Sequence, residues 1–425
     1  MQDQAIQSGI AQEATQLSLE LGRLLLINGA DTAYVHNAVG RLADALGYQA
    51  HLIVSYEAIL VTIDVNGIFH TRIGQHVQGT RVDMTAVEML NRIVNESGGE
   101  SLTETKVRAR LEGLENRTQL YPPWLIAITL GLSAAGLARL LGADLYVCMV
   151  VYFAATLGTF VRQRLGQWRF NPLAIPFIAA MVSGTIGGVG MRLHPSATQY
   201  LSLVAPGMIL VPGVPLINGI RDAISNNIGI ACAKLTFVSL VILGISLGLF
   251  MAAMVTGVSI PVAGPTPILS LHKDAILSGI VTIGFVFFFN VRPSVAWACV
   301  VCGLCGHALR TATMGLGLDI VTGTLIGSLV SGAIASAFAT RYGLPAATFA
   351  FPGVLVMVPG SYAFRAVIGL LEILKAAGKS TAELQGNTLS LVVTTVLLAM
   401  AIAVGLAIPL GIPTNIHHRR NPLPS

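Results

Sequence analysis

Pro206-Gly207-Met208-Ile209-Leu210-Val211-Pro212-Gly213 and Pro352-Gly353-Val354-Leu355-Val356-Met357-Val358-Pro359-Gly360 are two versions of one phrase, each deep in apolar sequence. Proline lacks an N–H and clashes with the preceding turn, so each phrase interrupts a helix and frees backbone carbonyls. In lipid, freed backbone groups persist only where protein or a water-filled cavity satisfies them. A pair of broken helices in corresponding halves of a membrane protein points to a transporter's substrate site. The expectation is therefore a membrane transporter with Pro206, Gly207, Pro212, Gly213, Pro352, Gly353, Pro359 and Gly360 around its substrate.

Composition agrees. The 425 residues are only 11% charged, with a mean hydropathy of +0.73, too apolar for an ordinary soluble domain. Residues 1–120 carry 9 Lys+Arg against 14 Asp+Glu, and residues 121–425 carry 16 against 6. An acidic soluble domain thus precedes a membrane region nearly empty of acids. The basic excess lies in short loops between apolar segments, as membrane orientation requires. No basic run interleaved with aromatics supports nucleic-acid contact, so no nucleic-acid partner is expected.

Residues 12–28 and 31–46 read as helices, the second capped by Asp31-Thr32 and followed by Gly47. Two or three antiparallel strands fit residues 51–73, with Asn66-Gly67 as a hairpin turn. Two more helices fit 82–97 and 101–117. The start of the chain is polar and mixed, unlike a signal peptide, so the soluble domain is expected to stay cytoplasmic. Tyr121-Pro122-Pro123-Trp124 marks the membrane boundary.

Ten spans of bilayer length follow, near 122–141, 143–161, 172–190, 198–218, 228–256, 275–290, 293–309, 318–339, 344–366 and 388–411. The Pro-Gly phrase occupies the fourth span of each five. Five is odd, so the second half starts on the opposite side, which predicts inverted repeats. The expected fold is mainly α. A small α+β cytoplasmic domain (1–120) precedes a first transmembrane repeat (121–262) and a second repeat with a short tail (263–425). With the N-terminus inside, Arg162–Arg169, Arg221, Arg292, Arg341 and the tail His417-His418-Arg419-Arg420 face the cytoplasm, while Lys273, Arg310, Lys375 and Lys379 fall outside.

Charges at membrane depth are costly and usually functional. Asp222 stands beside the first broken helix, in a stretch that also holds Arg221 and Asn226. It is a candidate for proton coupling, against the rival reading of an exposed loop pair. Arg221 and Arg365 follow the two phrases and could each hold a carboxylate in a bidentate manner; the rival reading makes them snorkelling anchors. His307 could relay protons, or sit at the headgroup level. Lys234 reads as a snorkelling residue and Asp319 as a helix cap. Cys299-x-x-Cys302-x-x-Cys305 shares one helix face; with no acids nearby it reads as small packing residues rather than a metal or redox site. His36, His51, His70 and His76 are scattered, and no catalytic triad order, H-E-x-x-H or P-loop spacing occurs, so no enzyme, metal or cofactor is expected.

Leu24-Leu25-Leu26-Ile27-Asn28-Gly29-Ala30-Asp31-Thr32 resembles the Gly-Ala-Glu/Asp-Thr signature that opens the cytoplasmic domain of the threonine/serine exporter (ThrE) family. Phe289-Asn290-Val291-Arg292-Pro293, followed by Gly303-Leu304-Cys305-Gly306-His307, resembles that family's Asn-Val-Pro and Gly-x-x-Gly-His pattern, with Arg292 inserted before the proline. The likeness spans roughly residues 15–410. It implies a multi-pass protein of the bacterial cytoplasmic membrane that exports threonine, serine or similar small amino acids, coupled to the proton gradient. In some relatives the halves are separate subunits resembling succinate exporters, so dicarboxylate export is one alternative. A passive small-solute channel is another. The expected partners are a small amino-acid or carboxylate substrate and the bilayer. Forty-five glycines are compatible with homo-oligomer contacts.

Overall fold

The helices and strands are those of a computed structural model that describes residues 2–65, 67–75, 82–97, 104–115, 117–194, 196–262 and 269–411. Asn66 of the hairpin turn, His76, the start of the second predicted half at 263 and the tail 417–420 lie outside the described residues.

The N-terminal unit contains α1 (Gln2–Ile27), α2 (Thr32–Ala45), β1 (Ala50–Val54), β2 (Ala58–Val65), β3 (Ile68–Gln75), α3 (Met84–Ser97) and α4 (Glu104–Glu115). The sheet is antiparallel in the order β1-β2-β3, with Leu60 opposite both Ile53 and Ile73. Alternation puts Ile59, Val61 and Ile63 inward, where Ile59 and Val61 join a core with Leu17, Leu21, Leu25 and Val39. Asp31 caps α2 as the sequence predicts: its carboxylate accepts from the Tyr34 N–H at 2.9 Å. Gly29, before the cap, adopts φ +94°, a conformation that favours glycine.

The remainder is helical: α5 (Pro123–Leu140), α6 (Leu145–Gln167), α7 (Ala174–Gly190), α8 (Leu201–Met208), α9 (Gly213–Ile224), α10 (Ile228–Thr256), α11 (Leu271–Phe288), α12 (Pro293–Gly315), α13 (Ile320–Tyr342), α14 (Ala347–Val354) with a 3-10 turn at Leu355–Met357, α15 (Gly360–Lys375) and α16 (Ala382–Gly411). Seven of the described helices are long and apolar enough to cross a membrane, and nine spans result if each bent pair, α8–α9 and α14–α15, counts as one. α7 is a shorter apolar helix of 17 residues. This is a mainly helical, multi-pass membrane architecture.

The order of packing partners is the same in both halves. α5 packs on α6, α6 on α7, α7 on α10, and α9 on α10. Correspondingly α11 packs on α12, α12 on α13, α13 on α16, and α15 on α16. The halves also interlock, α10 against α15 and α16 against α9.

One junction fastens the N-terminal unit to the helices. Asn290, fully buried with φ +54°, turns the chain between α11 and α12. Its side chain donates to Asp83 Oδ2 at 2.7 Å and accepts from the Leu120 N–H at 2.9 Å. Its carbonyl accepts from the Thr85 hydroxyl, and Tyr121 donates to the Val291 carbonyl at 2.8 Å. The inserted Arg292 reaches Glu88 at 3.2 Å, and Pro293 opens α12 at its first turn.

At the opposite end of the bundle Asp144 caps α6, accepting from the Val147 N–H at 2.9 Å and from the Ser196 hydroxyl. The Ser196 hydroxyl first, then the Val147 amide, holds its carboxyl below the usual carboxylate range. A depressed folded-state pKa contributes stability above the ordinary value, lost as pH falls through the depressed one. Asp144→Ala is therefore expected to cost about 1 kcal/mol at neutral pH, with the difference from the parent narrowing below about pH 3. Thermal melts at the two pH values check this.

Candidate functional site

The two Pro-Gly phrases make the same local structure twice. Pro206 lies inside α8 and Pro352 inside α14, where each removes one helical hydrogen bond. Each phrase then ends in a tight turn at its second proline: the Gly213 N–H donates to the Val211 carbonyl at 2.8 Å, and the Gly360 N–H to Val358 at 2.8 Å. Pro212 (φ −77°, ψ 72°) and Pro359 (φ −78°, ψ 43°) are the central residues, near the inverse γ-turn. The helix pairs bend by 59° at the first break and 46° at the second.

The breaks touch each other. A Cβ on Gly213 would lie 2.1 Å from Leu355 Cδ2, and one on Gly360 would lie 3.3 Å from both Met208 Cγ and Val211 Cγ2. Gly207 faces Phe364 at 3.1 Å in the same sense. Glycine is needed at this crossing because each break occupies the volume a side chain on the other would fill. α9 and α15 both start here; the Gly213 and Gly360 N–H groups are used in the turns, which leaves those of Val214 in α9 and of Ser361 and Tyr362 in α15 without a helical acceptor.

Cavities with polar linings lie toward the two ends of the bundle, and a third, mostly apolar and about 420 Å³, borders both breaks. The larger of the two polar cavities, about 1180 Å³, separates the N-terminal unit from the ends of α9, α13 and α16, and Asp31, Tyr34, Asn91, Arg221 and Gly343 line it. Three bonds bridge it: Arg221 Nη1 to Asp31 Oδ2 at 3.0 Å, Asn218 Nδ2 to the Gly29 carbonyl at 3.1 Å, and Asn91 Nδ2 to the Gly343 carbonyl at 3.1 Å. Burial pushes the Tyr34 phenol up, and its hydroxyl bonds Asn91 at 2.7 Å. The smaller cavity, about 90 Å³, lies toward the far ends of α11 and α12, between them and the second break. Asp274, His307, Arg310, Thr311, Ser361 and Tyr362 supply its polar lining.

The structure brings Pro212-Gly213 and Pro359-Gly360 to the crossing, packs Gly207 against α10 and α15 and Gly353 against α12, and disperses the rest of the residues singled out in the sequence. Arg221 and Asp222 lie about two turns along α9 from the break. Arg221 is paired with Asp31 rather than free. Asp222 is buried, with Lys234 Nζ 2.7 Å from its Oδ2. Lys234 therefore does not snorkel; it is the counter-ion of Asp222. Asn226 is an exposed turn residue with φ +61°, apart from the breaks. Arg365 is buried and does not snorkel either: it donates to the Pro261 and Val262 carbonyls at 2.9 Å each. His307 is buried, eight residues before the end of α12 at Gly315, and its Nδ1 lies 2.8 Å from Asp274 Oδ2.

Asp274, Arg310 and Thr311 are site residues that sequence reasoning did not single out. The available signal was an acid near the start of an apolar helix and a cation one turn after His307. Cys299 and Cys302 are buried packing residues: Cys299 Sγ bonds the Thr348 carbonyl at 3.4 Å, and Cys302 lies against Gly353. Among the described residues no group of three or more His, Cys, Asp or Glu is placed to hold a metal. Asp319 is a helix cap, as predicted, accepting from the Val321 and Thr322 N–H groups.

Comparison with known proteins gives the same kind of molecule. The threonine/serine exporter family matches residues 16–256, and a second threonine/serine exporter family matches residues 274–412. A probable succinate transporter subunit of Escherichia coli strain K12 is 30% identical over 247 residues, 57% of this chain and 94% of that protein. A probable threonine/serine exporter of Mycobacterium tuberculosis is 26% identical over 411 residues, 87% of this chain and 74% of that protein. No solved structure matches the chain. The chain belongs to the threonine/serine exporter family and is a multi-pass membrane transporter.

Proposed function

We propose that this protein exports threonine, serine or a similarly small hydrophilic amino acid across the bacterial cytoplasmic membrane, in exchange for protons. The carrying observation is the crossing of the two broken helices, bordered by a cavity of about 90 Å³ toward the far ends of α11 and α12, with a cavity of about 1180 Å³ at the other end of α9. A substrate carboxylate at the crossing would meet two helix N-termini. The unequal cavities correspond to a transporter open toward the N-terminal unit, the cytoplasmic side in this reading. Arg221 and Arg292 on that side agree with it.

Alternating access follows from inverted repeats of five spans each, ten in all with α7 included. Their support is local as well as global. Gly142 and Asn290 both take positive φ, as do Arg169 and Gly317. The members of each pair are 148 residues apart (142 to 290, 169 to 317) and close the corresponding turns of the two halves. Both phrases also end in the same tight turn. Of the proton-coupling candidates, His307 lines a cavity beside the crossing, whereas Asp222 is held by Lys234 away from it. Arg365, bound to two carbonyls, then braces the far loop.

Succinate export is the second reading, favoured by the likeness to the succinate transporter subunit. Proteoliposomes preloaded with labelled threonine, serine or succinate decide between them. Efflux of one solute that saturates and accelerates with an inward proton gradient is the expected result. Non-saturating efflux indifferent to the gradient would establish a channel instead, and no efflux of any of the three overturns the reading.

A further inference from the structure

His307 sits in a chain of polar contacts whose proton positions can be assigned. Arg310 is always charged and only donates. Its Nη1 lies 3.3 Å from His307 Nε2, so that nitrogen is the unprotonated acceptor. His307 Nδ1 then carries the hydrogen and donates to Asp274 Oδ2 at 2.8 Å. Thr311 Oγ1 donates to the other carboxylate oxygen at 2.8 Å. Asp274 therefore has both oxygens occupied, and His307 both nitrogens. Arg310 does not: its Nε is buried with no hydrogen-bond partner. A buried guanidinium N–H left unpaired is costly. His307 fixes Nη1 while Nε is left without a partner, and Arg310 lines the far-side cavity.

We propose that Arg310, held by neutral His307, is a receptor for a carboxylate in the far-side cavity, and that protonation of His307 expels that carboxylate. The ligand class is a small carboxylic acid, held through the Nε edge of the guanidinium. The inference rests on the exporter reading and supplies its coupling step.

When a proton from the far side adds to Nε2, the lone pair that held Nη1 is gone. Two cations then face each other at about 3 Å, and Arg310 must leave its position. The added charge does not simply attract the ligand more strongly, because Asp274 forms an ion pair with the new imidazolium and cancels most of its field. Proton and carboxylate thus exclude each other, which is the sign an antiporter needs. Acid on the far side promotes release there, and loss of the proton restores the receptor. Among the described residues lining the cavity, the titratable groups besides His307 and Arg310 are an acid and a phenol. Of the elements around His307, α11 contributes Asp274 and α15 contributes Tyr362. α5, α8, α13, α16 and the 3-10 turn present only apolar side chains to the cavity.

The test uses the full chain with its five cysteines replaced and one new cysteine, Met314→Cys. Met314 lines the same cavity one turn beyond Arg310. The measured quantity is the ratio of its modification rates by an anionic (sulfonatoethyl) and a cationic (trimethylammonioethyl) methanethiosulfonate. Thiol ionisation cancels in that ratio. At pH 8 the anionic reagent should be favoured, and Arg310→Gln should reduce the preference about tenfold. Lowering the pH to 4.5 should reduce it in the parent. His307→Gln, whose amide oxygen can still accept from Arg310, should keep the preference at both pH values. An unchanged ratio in Arg310→Gln, or a pH dependence that survives His307→Gln, overturns the proposal. Should Arg310→Gln not fold, the His307→Gln comparison alone decides. The labelling requires no transport. A protein that moves none of the three solutes can still pass it, and a proven exporter can fail it.

Discussion

Asp222→Asn is expected to lower the yield of folded protein rather than to leave a folded but uncoupled transporter. Asp222 and Lys234 are both nearly inaccessible, and their charged atoms are 2.7 Å apart. Removing one member leaves the other charge buried and unpaired, which costs about 3–5 kcal/mol. Replacing both by groups of similar volume removes that penalty. The double variant Asp222→Asn/Lys234→Met should therefore recover most of the lost stability, and Lys234→Met alone should be as damaging as Asp222→Asn. Melting midpoints in detergent, with abundance in the membrane, measure the effect. A different result would restore Asp222 to the coupling step: an Asp222→Asn protein that melts like the parent and effluxes substrate without regard to pH. The sequence alone allows that outcome, because Asp222 is visible beside the break whereas its partner lies one helix on, early in a long apolar span.

The same contrast separates what was legible in the chain from what was not. Apolar runs bounded by proline, glycine and capping acids set the helices. α10 occupies Ile228–Thr256 and α12 starts at Pro293, as hydropathy and the prolines predict. Asp31 and Asp319 act as caps because capping needs only an acid and N–H groups two or three residues ahead. The breaks were legible because proline's missing N–H is a property of the residue itself. Side-chain partners were not. Asp31 with Arg221, Asp274 with His307, and Arg365 with two loop carbonyls join elements distant in sequence. Periodicity reports which face of a helix is apolar, and not what that face meets. Snorkelling was the natural account of Lys234 and Arg365 for that reason. A long cation near a helix end looks the same in sequence whether it reaches water or a buried carbonyl.

Gly303→Val should disable the second break and cost about 3 kcal/mol or more. Gly303 lies where α12 crosses α14. A Cβ there would fall 2.1 Å from Thr282 Oγ1 and 3.2 Å from the Cα of Gly353. Reciprocally, a Cβ on Gly353 would lie 2.9 Å from the Gly303 backbone nitrogen. The two backbones are in contact, the arrangement small residues allow between membrane helices. Relief by side-chain rotation is closed. Thr282 Oγ1 is held by the Ser278 carbonyl at 2.8 Å, and the next atoms, Thr282 Cβ at 3.1 Å and the Gly353 Cα, do not move with a side-chain torsion. Valine must therefore push α12 away from the broken segment. That displaces Pro352-Gly353 and, through the 3-10 turn, the Leu355 side chain that fills the space at Gly213. Efflux should fall with stability, because the proposed site is the crossing. Gly315→Ala is the matched control: it lies in the last turn of the same helix with nothing within 4 Å, and should change stability by less than about 1 kcal/mol. If Gly303→Val instead melts and transports like the parent, the backbones of α12 and α14 are not in contact, and the break is held open by something other than α12.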